Sequence, residues 1–542
     1  MTSIAMNRRT LLAAGAGGSA ALLGGGALAG CSNRSGSPQN APSVNEAVIR
    51  PAYVPYRGVQ PDLPGNEAGV DPAFRNFPRE HPKVVQEKPG SGQPLTGMGN
   101  IFYAVPPGPD QNTYWAGLND RLGVDLKLQM VPTGDWSRKF ATTIAGNELP
   151  DLMQMRVIAN FPQLLDKKFA RLDDHLAGDA VKNYPNLANL PEASWQAAIY
   201  NGGIYGVPIP RGASGNYCFV RQDLFEQAGV SMEPKGFDEL KELMRALTDP
   251  PKRRWAIGSW AQLRKHLITL NEAPNGWRYE GGKLTHQYET EEYKQTINDL
   301  IELWQLGVIH PDTFSDSLQS KALFSSGSIA ITHDGYLGWT QYVLDNVSNP
   351  AFKLGLIPVY TRDGSELAPW HQGNASFSIT SLKKQDSPDK LTLALRVLNW
   401  LAAPFGTEEY LYRLYGEQGV DHTVNAEGNP TLTKTGQTNT VLPIRYLADA
   451  PPVIYQPGRP DDADQQHAYQ TKILATSVAD PTDGLFSNTL ATQNATVDRN
   501  VTDGLKAIIQ GRKPFAEWDR LIDTWRQQAG DKIRAEYEDQ LQ

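Results

Sequence analysis

The feature that most constrains the fold is an alternation of strand and helix patterns between residues 97 and 155. The predicted segments are a strand at 100–105, a helix at 114–122, a strand at 124–130, a helix at 135–145 and a strand at 150–155. Such spacing predicts right-handed crossovers and a largely parallel sheet. Ligands of such sheets bind beyond the carboxyl ends of the strands, so the loops at 107–113 and 155–160 are candidate binding loops.

The N-terminus has the pattern of an exported lipoprotein. Arg8 and Arg9 precede a Gly/Ala-rich apolar run at 11–29, and the run ends in the tetrapeptide LAGC at 28–31. The paired arginines resemble a twin-arginine signal, and the tetrapeptide resembles a lipoprotein box in which the cysteine takes a lipid. We therefore expect residues 1–30 to be a signal peptide and Cys31 to carry the lipid. A transmembrane helix and a secretory signal with an incidental cysteine remain alternatives.

Composition excludes several classes of protein. The chain holds 51 Lys and Arg against 59 Asp and Glu, a mildly acidic balance that argues against a nucleic-acid partner. It has two cysteines, so lipidation of Cys31 would leave Cys218 alone and exclude both an intramolecular disulfide and a zinc site built on cysteine pairs. Cys218 lies between Tyr217 and Phe219, which predicts a buried apolar side chain. The sequence predicts no cofactor and no metal.

Six short motifs occur in collinear order over residues 97–540. They are NELPDL at 147–152, YNGGIYGVP at 200–208, RQDLFEQAGV at 221–230, FSSGSIAI at 324–331, YGEQGVDHT at 415–423 and IIQGRKPFAEWDRLIDTW at 508–525. Together with the leader, this set resembles the extracellular solute-binding proteins of ABC importers, in particular the carbohydrate-type family and its LipO-like lipoprotein branch. His422 departs from the branch, which has tyrosine there, and the basic stretch 248–255 lacks the oxygen ligands of a calcium loop, so we expect no calcium site.

The resemblance implies an α/β fold, a two-lobed periplasmic-binding-protein clamp of the type II-like class with a hinge and an interlobe ligand cleft. We expect residues 97–210 and 376–414 to form lobe 1, and residues 211–375 and 415–542 to form lobe 2. The chain would cross between the lobes near 209–215, 371–376 and 414–419. Residues 31–96 are Pro/Gly-rich and predict a tether, part of which wraps the globular body because it carries apolar residues at 48–56.

The resemblance also implies a function. The expected protein is a lipid-anchored monomer on the extracellular face of the bacterial cell membrane, which captures a sugar or oligosaccharide by closure of its lobes and delivers it to an ABC permease. No nucleophile elbow, P-loop or zinc-binding histidine pair is evident, so an enzyme is not expected. A secreted, anchored polysaccharide-degrading enzyme remains an alternative because two carboxylates suffice for glycoside hydrolysis. A sugar-sensing or adhesion lipoprotein is the other alternative.

Candidate ligand contacts are aromatic and polar residues on loops, since sugars present apolar C–H faces and hydroxyl edges. Each candidate has a structural alternative, either core packing for the aromatic residues or helix capping and ion pairing for the polar ones. Tryptophans 304, 518 and 525 lie on helical stripes and are predicted to be core. Arg211 together with Arg278 would suit an acidic sugar if both face the cleft. The candidates are Asp110, Gln111, Arg211, Trp277, Asp334, Tyr336, Trp339, Trp370 and His371.

Overall fold

The computed structural model describes residues 40–315, 318–385 and 387–541, so the predicted signal peptide and Cys31 lie outside the described residues. The strands are β1 (Ala73–Phe74), β2 (Gln93–Ile101), β3 (Val124–Pro132), β4 (Leu152–Gln154), β5 (Ile199–Tyr200), β6 (Gly203–Ile204), β7 (Val207–Pro210), β8 (Asn216–Arg221), β9 (Trp255–Ile257), β10 (Trp277–Glu280), β11 (Lys283–His286), β12 (Ile329–Gly335), β13 (Leu354–Leu356), β14 (Ser376–Leu382), β15 (His422–Val424), β16 (Pro430–Leu432) and β17 (Ile454–Tyr455).

The α-helices are α1 (Pro42–Glu46), α2 (Thr113–Leu122), α3 (Thr133–Gly146), α4 (Phe161–Lys168), α5 (Asp173–Leu176), α6 (Pro185–Ala188), α7 (Gln222–Ala228), α8 (Gly236–Leu247), α9 (Trp260–Leu270), α10 (Glu291–Gln305), α11 (Ser320–Ser325), α12 (Gly338–Asp345), α13 (Pro388–Leu401), α14 (Glu408–Tyr415), α15 (Lys434–Asn439), α16 (Pro460–Leu474), α17 (Asn488–Ile509), α18 (Glu517–Trp525) and α19 (Asp531–Glu538). Within the described ranges, none of the helices combines the length and apolar character needed to cross a bilayer.

The first sheet has five strands in the order β3-β2-β4-β14-β7. Strand β2 pairs in parallel with β3 and β4, as the strand–helix alternation predicted, whereas β14 runs antiparallel to β4 and β7. The first strand was predicted at 100–105 and is in fact Gln93–Ile101, because its pairing with β3 begins at Gln93 and ends at Ile101. Residues 102–105 therefore lie beyond the strand and are exposed.

The second sheet has four strands in the order β13-β8-β12-β9, with β12 antiparallel to β8 and parallel to β9. Helix α10 packs on this half of the molecule, and the side chain of Thr290 accepts a hydrogen bond from the Tyr293 amide at its N-terminus. Tyr293, Ile297 and Leu300 of α10 are buried, as are Trp518 and Trp525 of α18. The prediction of core packing is confirmed for Trp518 and Trp525, whereas Trp304 is half-buried and packs against the edge of the second core.

Two hydrophobic cores underlie the two sheets. The chain leaves the first sheet at Pro210 and enters the second at Asn216, and it returns to the first sheet at Ser376. The third change of core comes later than the predicted 414–419, because residues 442–448 still pack in the first core and the second resumes at Tyr469. Sequence could not show this, since the contacts are between segments far apart in the chain. The predicted lobe bounds as a whole remain a prediction.

Residues 40–77, here called the arm, contact both cores. Val48 packs against the first core and Val70 belongs to the second. Strand β1 of the arm pairs in parallel with β17, and the ring of Phe74 lies 4.4 Å from that of Phe405. This part of the predicted tether is docked on the body, as expected, although Ile49, Tyr53 and Val54 of the apolar run stay exposed.

Candidate functional site

Three aromatic side chains lie together where strands of the first sheet end. Phe102 directly follows β2, Phe377 is the second residue of β14, and Tyr446 precedes the third change of core. The ring of Phe102 lies 6.3 Å from Phe377 and 5.2 Å from Tyr446, and the last two rings are 5.5 Å apart. Strand β14 is antiparallel to its neighbour β4, so its amino end lies at the same sheet edge as the carboxyl ends of the parallel strands. We call these three residues the aromatic platform.

The platform is open to solvent. Phe102 is 46% exposed and Phe377 is 44% exposed, while Tyr446 is half-buried. Phenylalanine side chains are usually buried, so two exposed rings side by side form an apolar patch that a ligand could cover. The arrangement can pack against the C–H face of a ring-shaped ligand, because nearly half of each phenylalanine remains accessible to solvent.

Arg211 lies beside the platform, at the first passage between the sheets. The central carbon of its guanidinium is 4.7 Å from the centre of the Phe377 ring, and Nη1 donates to the carbonyl of Pro210 at 2.8 Å. Its amide donates to the carbonyl of Ala375, which ties the first passage to the second. Among the described residues, no carboxylate forms an ion pair with Arg211. The half-buried guanidinium is therefore available to an anionic group.

A buried carboxylate lies near this cation. Burial alone would raise the pKa of Asp449, but the positive charges of Arg445, Arg413 and Arg211 lower it to about 2. Nη1 of Arg413 donates to Asp449 at 2.7 Å and Nη2 of Arg445 donates at 3.1 Å. Because Arg413 and Arg445 both form ion pairs with Asp449, its negative charge is largely balanced by these two residues.

Tyr336, which follows β12 of the second sheet, lies at the first passage between the sheets near Arg211, a region that we call the junction, whereas Asp334 makes its contacts elsewhere. The hydroxyl oxygen of Tyr336 accepts a hydrogen bond from the Gly212 amide at 3.3 Å. Burial raises the pKa of the Tyr336 hydroxyl, the charge of Asp71 raises it further, and Arg211 opposes the shift. Asp334 accepts from the Tyr342 hydroxyl at 3.0 Å and forms an ion pair with Lys321. Of the predicted contacts, Arg211 and Tyr336 are thus brought together.

The three tryptophans predicted to contact the ligand are core residues in this structure instead. Trp339 is fully buried and its indole N–H donates to Asp462 at 2.8 Å, and the indole of Trp370 donates to the Ser214 carbonyl at 3.0 Å. Trp277 is 7% exposed and packs against His286. None of these rings presents a free face, so the structure does not bring them to the platform.

The remaining predicted contacts lie apart from one another. Asp110 and Gln111 are exposed on the short turn Pro109–Gln111, and Asn112, rather than Asp110, caps helix α2. Nε2 of His371 lies 2.9 Å from the Ala273 carbonyl, and burial lowers the pKa of this histidine. Arg278 donates to Glu292 at 3.0 Å on the β10–β11 side of the second core, which leaves Arg211 as the candidate for an acidic ligand.

Sequence reasoning missed the aromatic platform itself. Phe102 was placed inside a predicted strand, and Phe377 belongs to a strand pattern that does not distinguish its two faces. A usable signal was present near Phe102, because the run PPGP at 106–109 begins four residues after it and predicts a break in regular structure there. An aromatic residue at a strand end next to such a break is a candidate contact.

A cavity of about 1000 Å³ is lined on one side by the arm and on the other by residues of the two passages between the sheets. Its lining includes Asp71 of the arm, Gly212 and Asn374 of the two passages, Gln196 and Asp483, and Arg211 also reaches it. Asp71 is buried, and burial raises the pKa of its carboxyl to about 6, although a hydrogen bond from Gln470 opposes the shift. None of the platform residues lines this cavity.

Comparison with known proteins places this geometry in context. A family model described as bacterial extracellular solute-binding protein matches residues 110–407. The polygalacturonan/rhamnogalacturonan-binding protein YtcQ of Bacillus subtilis is 24% identical over 477 residues, which is 83% of this chain and 92% of that protein.

Two solved structures share the fold. The alginate-binding protein AlgQ2 aligns with a TM-score of 0.60 and 14% identity, covering 85% of this chain and 99% of that one. A solute-binding protein associated with an ABC transporter of Bifidobacterium longum infantis, described as HMO-binding, aligns with a TM-score of 0.62 and 17% identity, covering 83% and 98% of the two chains.

Proposed function

The chain belongs to the family of bacterial extracellular solute-binding proteins, and on that premise we propose that it captures an oligosaccharide between its lobes and delivers it to an ABC permease. Its α/β, two-lobed fold is that of sugar-binding proteins of ABC transporters. We further propose that a lipid on Cys31 anchors it, as a monomer, to the outer face of the cell membrane. The leader pattern supports this anchor.

The observation that carries the proposal is the aromatic platform with Arg211 beside it. Stacking on an aromatic ring contributes about 0.5–1.5 kcal/mol beyond the burial of area, and a hydrogen bond to a charged group contributes about 1.5–3 kcal/mol. Micromolar binding needs about 8 kcal/mol in total, so three rings and a few polar contacts are on the right scale.

Arg211 favours a ligand that carries carboxylates. Its guanidinium has no carboxylate partner among the described residues, and its position against Phe377 leaves it next to the stacking surface. The glycans named for YtcQ and AlgQ2 contain uronic acids, whose carboxylates a guanidinium can bind in a bidentate way. We therefore propose that the ligand is a uronate-containing oligosaccharide.

Calorimetry with uronate oligosaccharides and size-matched neutral oligosaccharides tests this proposal. Phe377→Ala is expected to weaken binding by about 2- to 13-fold, because one stacking ring is lost. Arg211→Met is expected to weaken binding of uronates by about 10- to 150-fold and to leave neutral glycans nearly unaffected. Arg278→Met is the matched control, since Arg278 pairs with Glu292 and lies on another part of the molecule.

Other outcomes would redirect the proposal. Binding that ignores Phe377→Ala but is lost in Gln196→Ala would move the ligand to the cavity under the arm. Release of smaller products would favour the polysaccharide-degrading enzyme, whereas the proposed receptor returns its glycan intact. Ligand can favour a closed form only by binding it more tightly, so we expect X-ray scattering to give a smaller radius of gyration at saturation. An unchanged curve contradicts capture by closure.

The proposed anchor has its own test. Cys31→Ser is expected to move the protein from the membrane fraction to the medium without changing glycan affinity, because the lipid lies far from the proposed site in sequence. Mass spectrometry of the N-terminal peptide would show whether the lipid is present. A Cys31→Ser variant that stays with the membrane contradicts the anchor.

A further inference from the structure

The second core contains three side chains that can ligate a metal. Cys218 on β8 and His333 on β12 are direct partners across the antiparallel pair, so their side chains lie on the same face of the sheet. His266 of α9 covers that face. The three residues are 0%, 7% and 4% exposed in the order Cys218, His333, His266. We call them the Cys-His-His cluster.

Two of the three distances between donor atoms match those in a coordination sphere. Sγ of Cys218 is 3.7 Å from Nδ1 of His266, and that nitrogen is 3.3 Å from Nε2 of His333. All three atoms lie within 4.8 Å of one another. A tetrahedral ion bound at about 2.05 Å from nitrogen and about 2.3 Å from sulfur holds its ligands about 3.3 Å apart for a nitrogen pair and about 3.6 Å for nitrogen and sulfur.

Hydrogen bonding alone does not satisfy this arrangement. Nδ1 of His266 faces both other atoms, but a ring nitrogen carries either one proton or one lone pair. With a proton it can donate properly to one partner, and with a lone pair it can accept properly from one. In either state, one of the two contacts of this nitrogen is not a proper hydrogen bond, and an unmade hydrogen bond in a buried setting costs free energy. A metal ion accepts a lone pair from all three atoms at once.

The neighbourhood fits neutral imidazole ligands. Both rings are buried, and no carboxylate among the described residues forms an ion pair with either of them. A metal ion binds the thiolate form of cysteine, so the ion must displace the proton of the buried Cys218 thiol. Nε2 of Gln262 donates to the His333 carbonyl at 2.7 Å and thereby ties α9 to β12 around the cluster.

We propose that the Cys-His-His cluster binds one transition-metal ion of the class that prefers thiolate and imidazole ligands, Cu(I) or Zn(II). As the sulfur–metal bond forms, the Cys218 thiol loses its proton to solvent, and the oxidation state of the ion does not change. Cu(I) with one thiolate is neutral overall, whereas Zn(II) leaves one uncompensated positive charge in a buried, largely apolar core. Charge therefore favours Cu(I). The site is independent of the glycan proposal.

The test measures metal in the full-length protein purified from cells grown with added copper or with added zinc. Mass spectrometry of the metals is expected to find about one ion per chain in the wild type and in Cys31→Ser, the matched control that removes the other cysteine. Cys218→Ser and His333→Gln are expected to lose the ion at least tenfold. Retention of either ion supports the site and identifies the metal.

Two further measurements keep the result decisive. Circular dichroism of the variants separates loss of the ion from loss of the fold, and Co(II) loaded during refolding from urea is expected to give a thiolate charge-transfer band that Cys218→Ser abolishes. Refolding also removes slow entry into a buried site as a cause of failure. A wild type that holds less than a tenth of an ion per chain by both routes overturns the proposal. Equal metal content in the wild type and Cys218→Ser also overturns it.

Discussion

The ion pair between Arg413 and Asp449 gives the sharpest prediction for stability. The Arg413 side chain is 0% exposed and that of Asp449 is 8% exposed, with Nη1 and Oδ1 2.7 Å apart. Among the described residues, Nε and Nη2 of Arg413 have no hydrogen-bond partner, so its charge depends on this carboxylate and on the Ala448 carbonyl. Breaking a buried pair by removing one partner costs about 3–5 kcal/mol. We expect Asp449→Asn to lower the free energy of unfolding by that amount.

Urea unfolding followed by circular dichroism measures the effect for the transition in which the first core melts. Asp464→Asn is the matched control. Asp464 pairs with Arg75 at the surface, where the two side chains are 41% and 42% exposed, so this pair should contribute less than about 1 kcal/mol to stability. The double variant Arg413→Met with Asp449→Leu is expected to recover much of the loss, since it removes both buried charges and leaves Arg445, whose side chain is 43% exposed, to be solvated by water. A cost for Asp449→Asn no larger than the control would refute the reasoning.

The pH dependence of the same variant supplies a second check. The folded pKa of Asp449 is lowered to about 2, so the stability that its charge contributes is present above the ordinary value of 3.8 and is lost as pH falls towards 2. The gap between wild type and Asp449→Asn should therefore narrow in acid. A gap that stays constant down to pH 2 would contradict an ionised, paired carboxylate.

Asp71 and Trp339 supply two further predictions. The pKa of Asp71 is raised to about 6 in the fold, so its favourable contribution to stability is present below the ordinary carboxyl value and is lost as pH rises through about 6. The melting temperature of Asp71→Asn relative to wild type should therefore be higher at about pH 8 than at about pH 5, and an equal difference at both pH values would count against this reasoning. Trp339→Phe removes the N–H donor to buried Asp462 and should cost about 1–3 kcal/mol of stability with glycan affinity unchanged. A clear loss of affinity in that variant would instead restore Trp339 as a ligand contact.

Local patterns predicted the first sheet well. Helices α2 and α3 and strands β3 and β4 occur where periodicity and turn residues placed them, because each of those signals depends on neighbours in the chain. The first strand was placed too late, since Thr96, Gly97 and Gly99 interrupt the apolar pattern. Pairing with β3, a contact between distant segments, sets its real extent.

The candidate site was harder to predict for the same reason. Loop position indicated Arg211 and Tyr336, and the chain does bring them to one junction. Loop position also indicated Trp339 and Trp370, but each indole N–H finds a buried acceptor supplied by a remote segment. The sequence contains the donor but not the position of its acceptor, so burial of these rings could not be read from it.

The exposed phenylalanines are therefore more informative about binding than the tryptophans. A tryptophan in a loop can be buried because its N–H can be satisfied inside the protein, whereas an exposed phenyl ring has no polar group that gains from water. Full burial of such a side chain is worth about 1.5–3 kcal/mol, and Phe102 and Phe377 each forgo a large part of that while lying beside a cation that lacks a carboxylate partner among the described residues. A surface that keeps two such rings next to Arg211 is stabilised when a ligand with an apolar face and an acidic edge covers it. For this reason the loss of affinity in Phe377→Ala and Arg211→Met should be greatest for the same glycan.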